Sequence, residues 1–301
     1  MTTRRALLHT GLLLPWTLSP SGNLSQAATT TKAPADAQLA DALARIERRS
    51  GGQLGVEVWH TGSGRRWGHR RDERFPMCSS FKLLLAGAAL HQAAAGALRL
   101  DEQLAYSRAD LQPWSPVTEG LLAEGSMAVA ALCAATLATS DNTAANLLLA
   151  RLGGPTAVTT FLRGLGDPVT RLDRYEPEMN TPHPEWDSSA PRAMAHSLHA
   201  LLLGDVLAPP HRARLKAWLQ ASVTGGRRLK AGLPVGWSIA EKTGTSDSGS
   251  TNDIGVVWSP RGEPLVVAAF IRNSRAPHAQ REAALADVGR LAAGVADAVG
   301  G

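Results

Sequence analysis

Cysteine is almost absent from this chain: of 301 residues only Cys78 and Cys133 carry a thiol. Two cysteines allow one disulfide or none, and neither has a histidine or a second cysteine at ligand spacing, which argues against a zinc site. His196 and His199 stand three apart in a predicted helix without a third ligand nearby, so no metal or other cofactor is expected. Aromatic residues make up 5% of the chain, and no basic run is longer than a pair of arginines. Stacking platforms and a phosphate-tracking stripe are both missing, so the net charge of +5 is not read as nucleic-acid binding. Two of those charges, Arg4 and Arg5, lie in the acid-free first 27 residues, leaving +3 for the remainder. Repeats and low-complexity tracts are lacking as well. What is present is 44% hydrophobic and 19% charged residues, the balance of a folded body of one large or two modest domains.

The N-terminus reads as an address. Arg4-Arg5 precede the short apolar stretch Leu12-Leu13-Leu14, which ends in small residues at Ser25-Gln26-Ala27. That order matches an export signal, and the arginine pair matches the twin-arginine type. Residues 1–27 are therefore expected to be removed, and no later apolar stretch is long enough to span a bilayer. The mature chain is expected to be periplasmic or secreted, free of the membrane and monomeric.

Periodicity gives the elements. Leu39, Leu43 and Ile46 mark a helix stopped by Gly51-Gly52. Residues 54–60 alternate with period two, turn at Thr61-Gly62-Ser63-Gly64 and return from Arg66 to His69 as a hairpin. Helices are predicted over 79–98 and 129–138, strands over 236–242, 253–258 and 265–271, and a closing helix over 281–299. Strands at both ends with helices between predict an α+β protein. It has an antiparallel five-stranded sheet flanked by helices and built from both termini, with an inserted all-helical lobe. The α/β lobe is placed at about 28–76 and 221–301 and the helical lobe at about 77–220.

Three short motifs carry chemistry. Ser79-Ser80-Phe81-Lys82 puts a hydroxyl and an amine on one face at the start of a helix, just after Pro76. A serine there can lend its own N–H to a developing oxyanion, and an amine beside Phe81 and Leu83 is pushed toward its neutral form. Ser140-Asp141-Asn142 alone is only a good helix cap. Lys242-Thr243-Gly244-Thr245 ends a strand, where glycine lets a ligand approach the backbone. Each motif is weak singly; together and in this order they supply a nucleophile, a proton relay and an anion-binding strand edge.

With Phe75-Pro76-Met77-Cys78 before the nucleophile, Thr143-Ala144-Ala145-Asn146 after the second motif, and Arg174-Tyr175-Glu176-Pro177-Glu178-Met179-Asn180 between motifs, the chain resembles the class A serine β-lactamases. The likeness covers essentially the whole mature sequence and implies the β-lactamase/DD-peptidase-like fold. It implies that Ser79 attacks the lactam carbonyl while the N–H groups of Ser79 and Thr245 hold the oxyanion. The serine proton leaves through Lys82 or through Glu176 and a water. Ser140 relays a proton to the departing nitrogen, Lys242 keeps the potential positive, and Glu176 with Asn180 holds the hydrolytic water.

For the substrate, the resemblance implies that Lys242, Thr243, Gly244 and Thr245 face the carboxylate and Asn142 the acylamino group. Trp114, in a loop between Pro113 and Ser115-Pro116, is expected to line the entrance instead of filling a core. Thr251 stands where many members carry a carboxylate-binding arginine, and Arg228 resembles the substitute found in others, with Arg227 the alternative. Ser246 stands where many members have glycine, which implies acceptance of bulkier cephalosporins. Both family positions that would bridge these cysteines lack a thiol, so two free cysteines are expected. The loop from Asn180 to Asp187 is about two residues short, with Arg174 and Asp187 the candidates for the ion pair that closes it. A penicillin-binding D-alanyl-D-alanine peptidase and a β-lactam sensor domain are the competing readings.

Overall fold

Near-continuous runs of buried residues on β8 and β9 build a sheet covered on both faces. The computed structural model describes residues 32–260 and 262–300, so the export segment expected over 1–27 lies outside the described residues. Helix α1 (Lys32–Ser50) leads into the hairpin β1 (Gln53–His60) and β2 (Arg66–His69). The short strand β3 (Phe75–Pro76) and a 3-10 turn over Cys78–Ser80 precede α2 (Phe81–Ala94). Next come β4 (Gln103–Ala105), α3 (Pro116–Gly120), β5 (Ser126–Ala128), α4 (Val129–Ala138), α5 (Asn142–Leu152) and α6 (Pro155–Gly164). They are followed by β6 (Ser188–Ser189), α7 (Pro191–Leu202), α8 (Pro209–Gln220) and α9 (Leu229–Gly232). The chain closes with β7 (Ser238–Thr245), β8 (Thr251–Trp258), β9 (Leu265–Arg272) and α10 (His278–Gly300).

The main sheet has the order β2-β1-β9-β8-β7, with every neighbouring pair antiparallel. On β9, Val267, Ala269 and Ile271 join Leu43, Ile46, Leu285 and Val288 in one core, under α1 and α10. Val266, Ala268 and Phe270 point the other way, into a larger core with Phe81, Leu84, Leu198 and Leu219. This is the expected α+β architecture, and its two apolar faces are what a central strand must bury.

Helix α2 starts later and stops earlier than its periodicity suggests. Cys78 has φ +45°, so the chain kinks before Ser79, and Gly96 at φ +74° reverses it after Ala94. Cys78 and Cys133 are both free and buried, and burial pushes each thiol up to about 12. His199 stacks on Trp59 with ring centroids 4.2 Å apart, while His196 Nε2 lies 2.8 Å from the Leu165 carbonyl.

Candidate active site

The three motifs meet where β7, at the sheet edge, faces the helices. Ser79 occupies the 3-10 turn, and the segment before it is pinned from two sides. Asn252 Nδ2 on β8 donates to the carbonyls of Pro76 (2.8 Å) and Met77 (2.9 Å), and Met77 N–H donates to Asp187 O (2.9 Å). One turn on, Lys82 is completely buried. Its Nζ donates to Ser79 Oγ (3.1 Å), Ser140 O (2.8 Å), Ser140 Oγ (3.3 Å) and Asn142 Oδ1 (2.5 Å), and stands 3.2 Å from Glu176 Oε1. Burial lowers its pKa below the ordinary lysine value, against the pull of the Glu176 carboxylate.

Ser140 adopts φ +64°. Its hydroxyl is shared by the two lysines, since Lys242 Nζ donates to the same Oγ at 3.1 Å and to Thr243 O at 2.9 Å. Lys242 is fully buried, and burial, helped by the charges of Lys82 and Arg228, sets its pKa well below normal. Asp141 works outward: its carboxylate caps α5 through Ala144 N (2.9 Å) and takes Val117 N and Thr118 N, each at 2.9 Å. That ties the loop carrying Trp114 to the motif, and Asn142 N–H also donates to Trp114 O at 3.0 Å. Trp114 is 67% exposed, with its indole N–H on Thr139 O at 3.0 Å, so it stands at the surface beside the site and not in a core. Asn142 Nδ2 donates to Pro113 O at 2.7 Å.

Glu176 closes the cluster from the opposite side. It accepts from Ser79 Oγ (3.2 Å) and, on its other oxygen, from Asn180 Nδ2 (2.6 Å). Asn180 Oδ1 is buried and finds no partner among the described residues. The backbone of Glu176 is clamped by Asn146, whose Oδ1 accepts from Glu176 N (3.0 Å) and whose Nδ2 donates to Glu176 O (2.8 Å). At the base of this loop Arg174 Nε meets Asp187 Oδ2 at 2.6 Å, the expected ion pair.

Along β7, Thr243 Oγ1 meets Thr224 Oγ1 at 2.7 Å. A side chain on Gly244 would drive its Cβ to 2.5 Å from Met77 O, so only glycine fits there. Arg228 is buried and donates to Gly244 O (3.0 Å), Asn252 O (2.8 Å) and Thr245 Oγ1 (2.8 Å), whereas Arg227 is exposed. Thr251 pairs with Thr245 across the ladder and accepts from Arg281 Nε at 2.8 Å. Ser246 is buried, its hydroxyl 2.7 Å from that of Ser248. Asp141 caps its helix as the motif suggested, whereas the sequence reading gave Asn146 and Asn252 no role. Asn146 had a signal, because it lies four residues beyond Asn142 and so shares its helix face.

A serine hydroxyl between a buried amine and a buried carboxylate, on this α+β scaffold, defines a serine hydrolase that works by acyl transfer. Comparison with known proteins narrows the class. The chain matches the model of the beta-lactamase enzyme family over residues 38–296 and belongs to that family, in its class A branch. It is 45% identical to beta-lactamase AST-1 of Nocardia asteroides, over 90% of this chain and 86% of that protein. It is 43% identical to the carbapenem-hydrolyzing beta-lactamase KPC of Klebsiella oxytoca, over 84% and 87% respectively. Among solved structures, the class A beta-lactamase of the last common ancestor of Gram-negative bacteria aligns with TM-score 0.83 and 52% identity. That alignment covers 85% of this chain and 98% of the other.

Proposed function

We propose that the chain hydrolyses the β-lactam amide of penicillins and cephalosporins through an acyl-enzyme on Ser79, and so confers antibiotic resistance. The observation that carries this reading is Glu176: one carboxylate touches both the Ser79 hydroxyl and Asn180, beside an unpartnered Asn180 oxygen. In the first step Ser79 Oγ adds to the lactam carbonyl, and the N–H groups of Ser79 and Thr245 receive the oxyanion. The serine proton passes to Lys82, which burial biases toward its neutral form, or through a water to Glu176. Both acceptors stand within hydrogen-bond reach of Oγ. The ring C–N bond then breaks, and Ser140, fed by Lys82 and Lys242, delivers a proton to the nitrogen. In the second step Glu176, with Asn180, takes a proton from water as it attacks the ester, and Ser79 is released.

The substrate carboxylate lies along Lys242, Thr243, Gly244 and Thr245. Arg228 donates to the Thr245 hydroxyl, which supports it over Arg227 as the guanidinium that acts on the substrate carboxylate, through that hydroxyl. Asn142 keeps one amide hydrogen for the acylamino group, and Trp114 lines the entrance. The Arg4-Arg5 pattern supports export to the periplasm or beyond, and among the described residues no helix is long and apolar enough to cross a membrane.

A chromogenic cephalosporin tests the reaction. Continuous turnover after any burst is expected; a single stoichiometric burst would return the assignment to a penicillin-binding peptidase or a sensor. Ser246→Gly should lower kcat/KM for bulky cephalosporins about tenfold relative to penicillins. Equal or better cephalosporin hydrolysis would remove Ser246 from the specificity argument.

A further inference from the structure

The loop that carries Glu176 and Asn180 returns to the body through residues 181–187, and one side chain organises that return. His183 is the only residue of 181–186 that is not exposed. Its Nδ1 accepts two backbone hydrogen bonds, from Glu185 N at 3.2 Å and Trp186 N at 3.0 Å. The ring lies flat on Trp186, with centroids 4.1 Å apart, and the Arg174 guanidinium sits over the same indole at 5.5 Å. Arg174 also holds both ends of the segment, through Thr181 O at 2.8 Å and Asp187 Oδ2 at 2.6 Å. Asp187 O receives Met77 N, two residues before the nucleophile. Pro182 and Pro184 flank the histidine and can donate nothing to this turn. An aspartate or asparagine usually supplies such an acceptor to the N–H groups two and three residues on. Here a ring nitrogen does the same work.

The geometry points to His183 as a positioning residue for the deacylation step, holding the return segment so that Asn180 and Glu176 stay aimed at the Ser79 ester. This rests on the assignment of Glu176 as the group that activates water. Because His183 touches neither substrate nor the reacting atoms, its loss should spare acylation. Displacement of a water-aiming pair by a fraction of an ångström to an ångström slows the step it serves by about 10-fold to 100-fold.

The test compares His183→Ala with His183→Asn, in single-turnover acylation, deacylation and thermal melting of the full-length protein. Asparagine presents Oδ1 where the ring presents Nδ1, so it restores the acceptor without the ring. His183→Ala is expected to accumulate acyl-enzyme, with kcat and KM falling together about tenfold or more and the acylation rate unchanged, while His183→Asn recovers most of the deacylation rate. Unchanged deacylation in His183→Ala, or an asparagine variant as slow as the alanine one, overturns the proposal. Equal slowing of both steps would also overturn it, as a general loss of packing. If the unmodified protein gives only a stoichiometric burst, the hydrolase reading itself fails, and that outcome is distinct from all of these.

Discussion

Glu176→Ala is expected to react with a penicillin once and then stall. Loss of a positioned general base slows the step it serves by about 100-fold to 10,000-fold, so deacylation should fall into that range and the acyl-enzyme should persist. Mass spectrometry would show one covalent adduct per chain, and steady-state hydrolysis would fall with it. The variant also decides the open question of the first step. Lys82 keeps Ser140 O and Asn142 Oδ1 as partners when the carboxylate is gone. If the amine takes the serine proton, acylation by Glu176→Ala stays within about tenfold of normal; if Glu176 does so through water, acylation drops as far as deacylation. Unchanged turnover would displace Glu176 from both steps.

Lys82→Ala should fail earlier. Among the described residues its amine alone touches Ser79 Oγ, Ser140 Oγ and Glu176 together, and with it gone acylation is expected to fall by about 100-fold to 10,000-fold. Truncation also leaves the buried Glu176 carboxylate without its countercharge, a loss of about 3–5 kcal/mol. Rates must therefore be read at a temperature where circular dichroism shows the variant folded. Lys82→Arg separates the two effects, because a guanidinium keeps the charge but does not deprotonate in proteins. An arginine variant with restored melting temperature and still-slow acylation assigns Lys82 a proton-accepting role. One that acylates normally would reduce the residue to an electrostatic support.

Much of this architecture was legible because local patterns dictated it. Alternation located the first hairpin and apolar runs located β8 and β9, since a strand buried on both faces must be apolar almost throughout. The motifs set Ser79 and Lys82 at the start of a predicted helix and Lys242 at the end of a predicted strand, and the fold brings them and Ser140 within hydrogen-bond reach of one another. What stayed hidden was tertiary. The depth of a turn separates buried Arg228 from exposed Arg227, and neighbouring arginines do not disclose it in sequence. Asn252 holds backbone, and an asparagine that holds backbone looks in sequence like any other. The clamp at His183 was hidden for a different reason: histidine is not the residue that turn chemistry predicts for that acceptor.

The sheet order has a consequence for how the chain is made. β1 lies between β2 and β9, so its second edge stays unpaired until synthesis has passed Arg272. Ser79 and Lys82 emerge early, whereas β7, the proposed anion-binding edge, comes late and pairs only with β8, which in turn needs β9. A nascent chain therefore carries Ser79 for most of its synthesis without a site to use it, exposing an apolar strand edge open to intermolecular pairing. Any chaperone or export partner that protects the protein has that interval in which to act, and chains cut short before β9 should aggregate and not acylate.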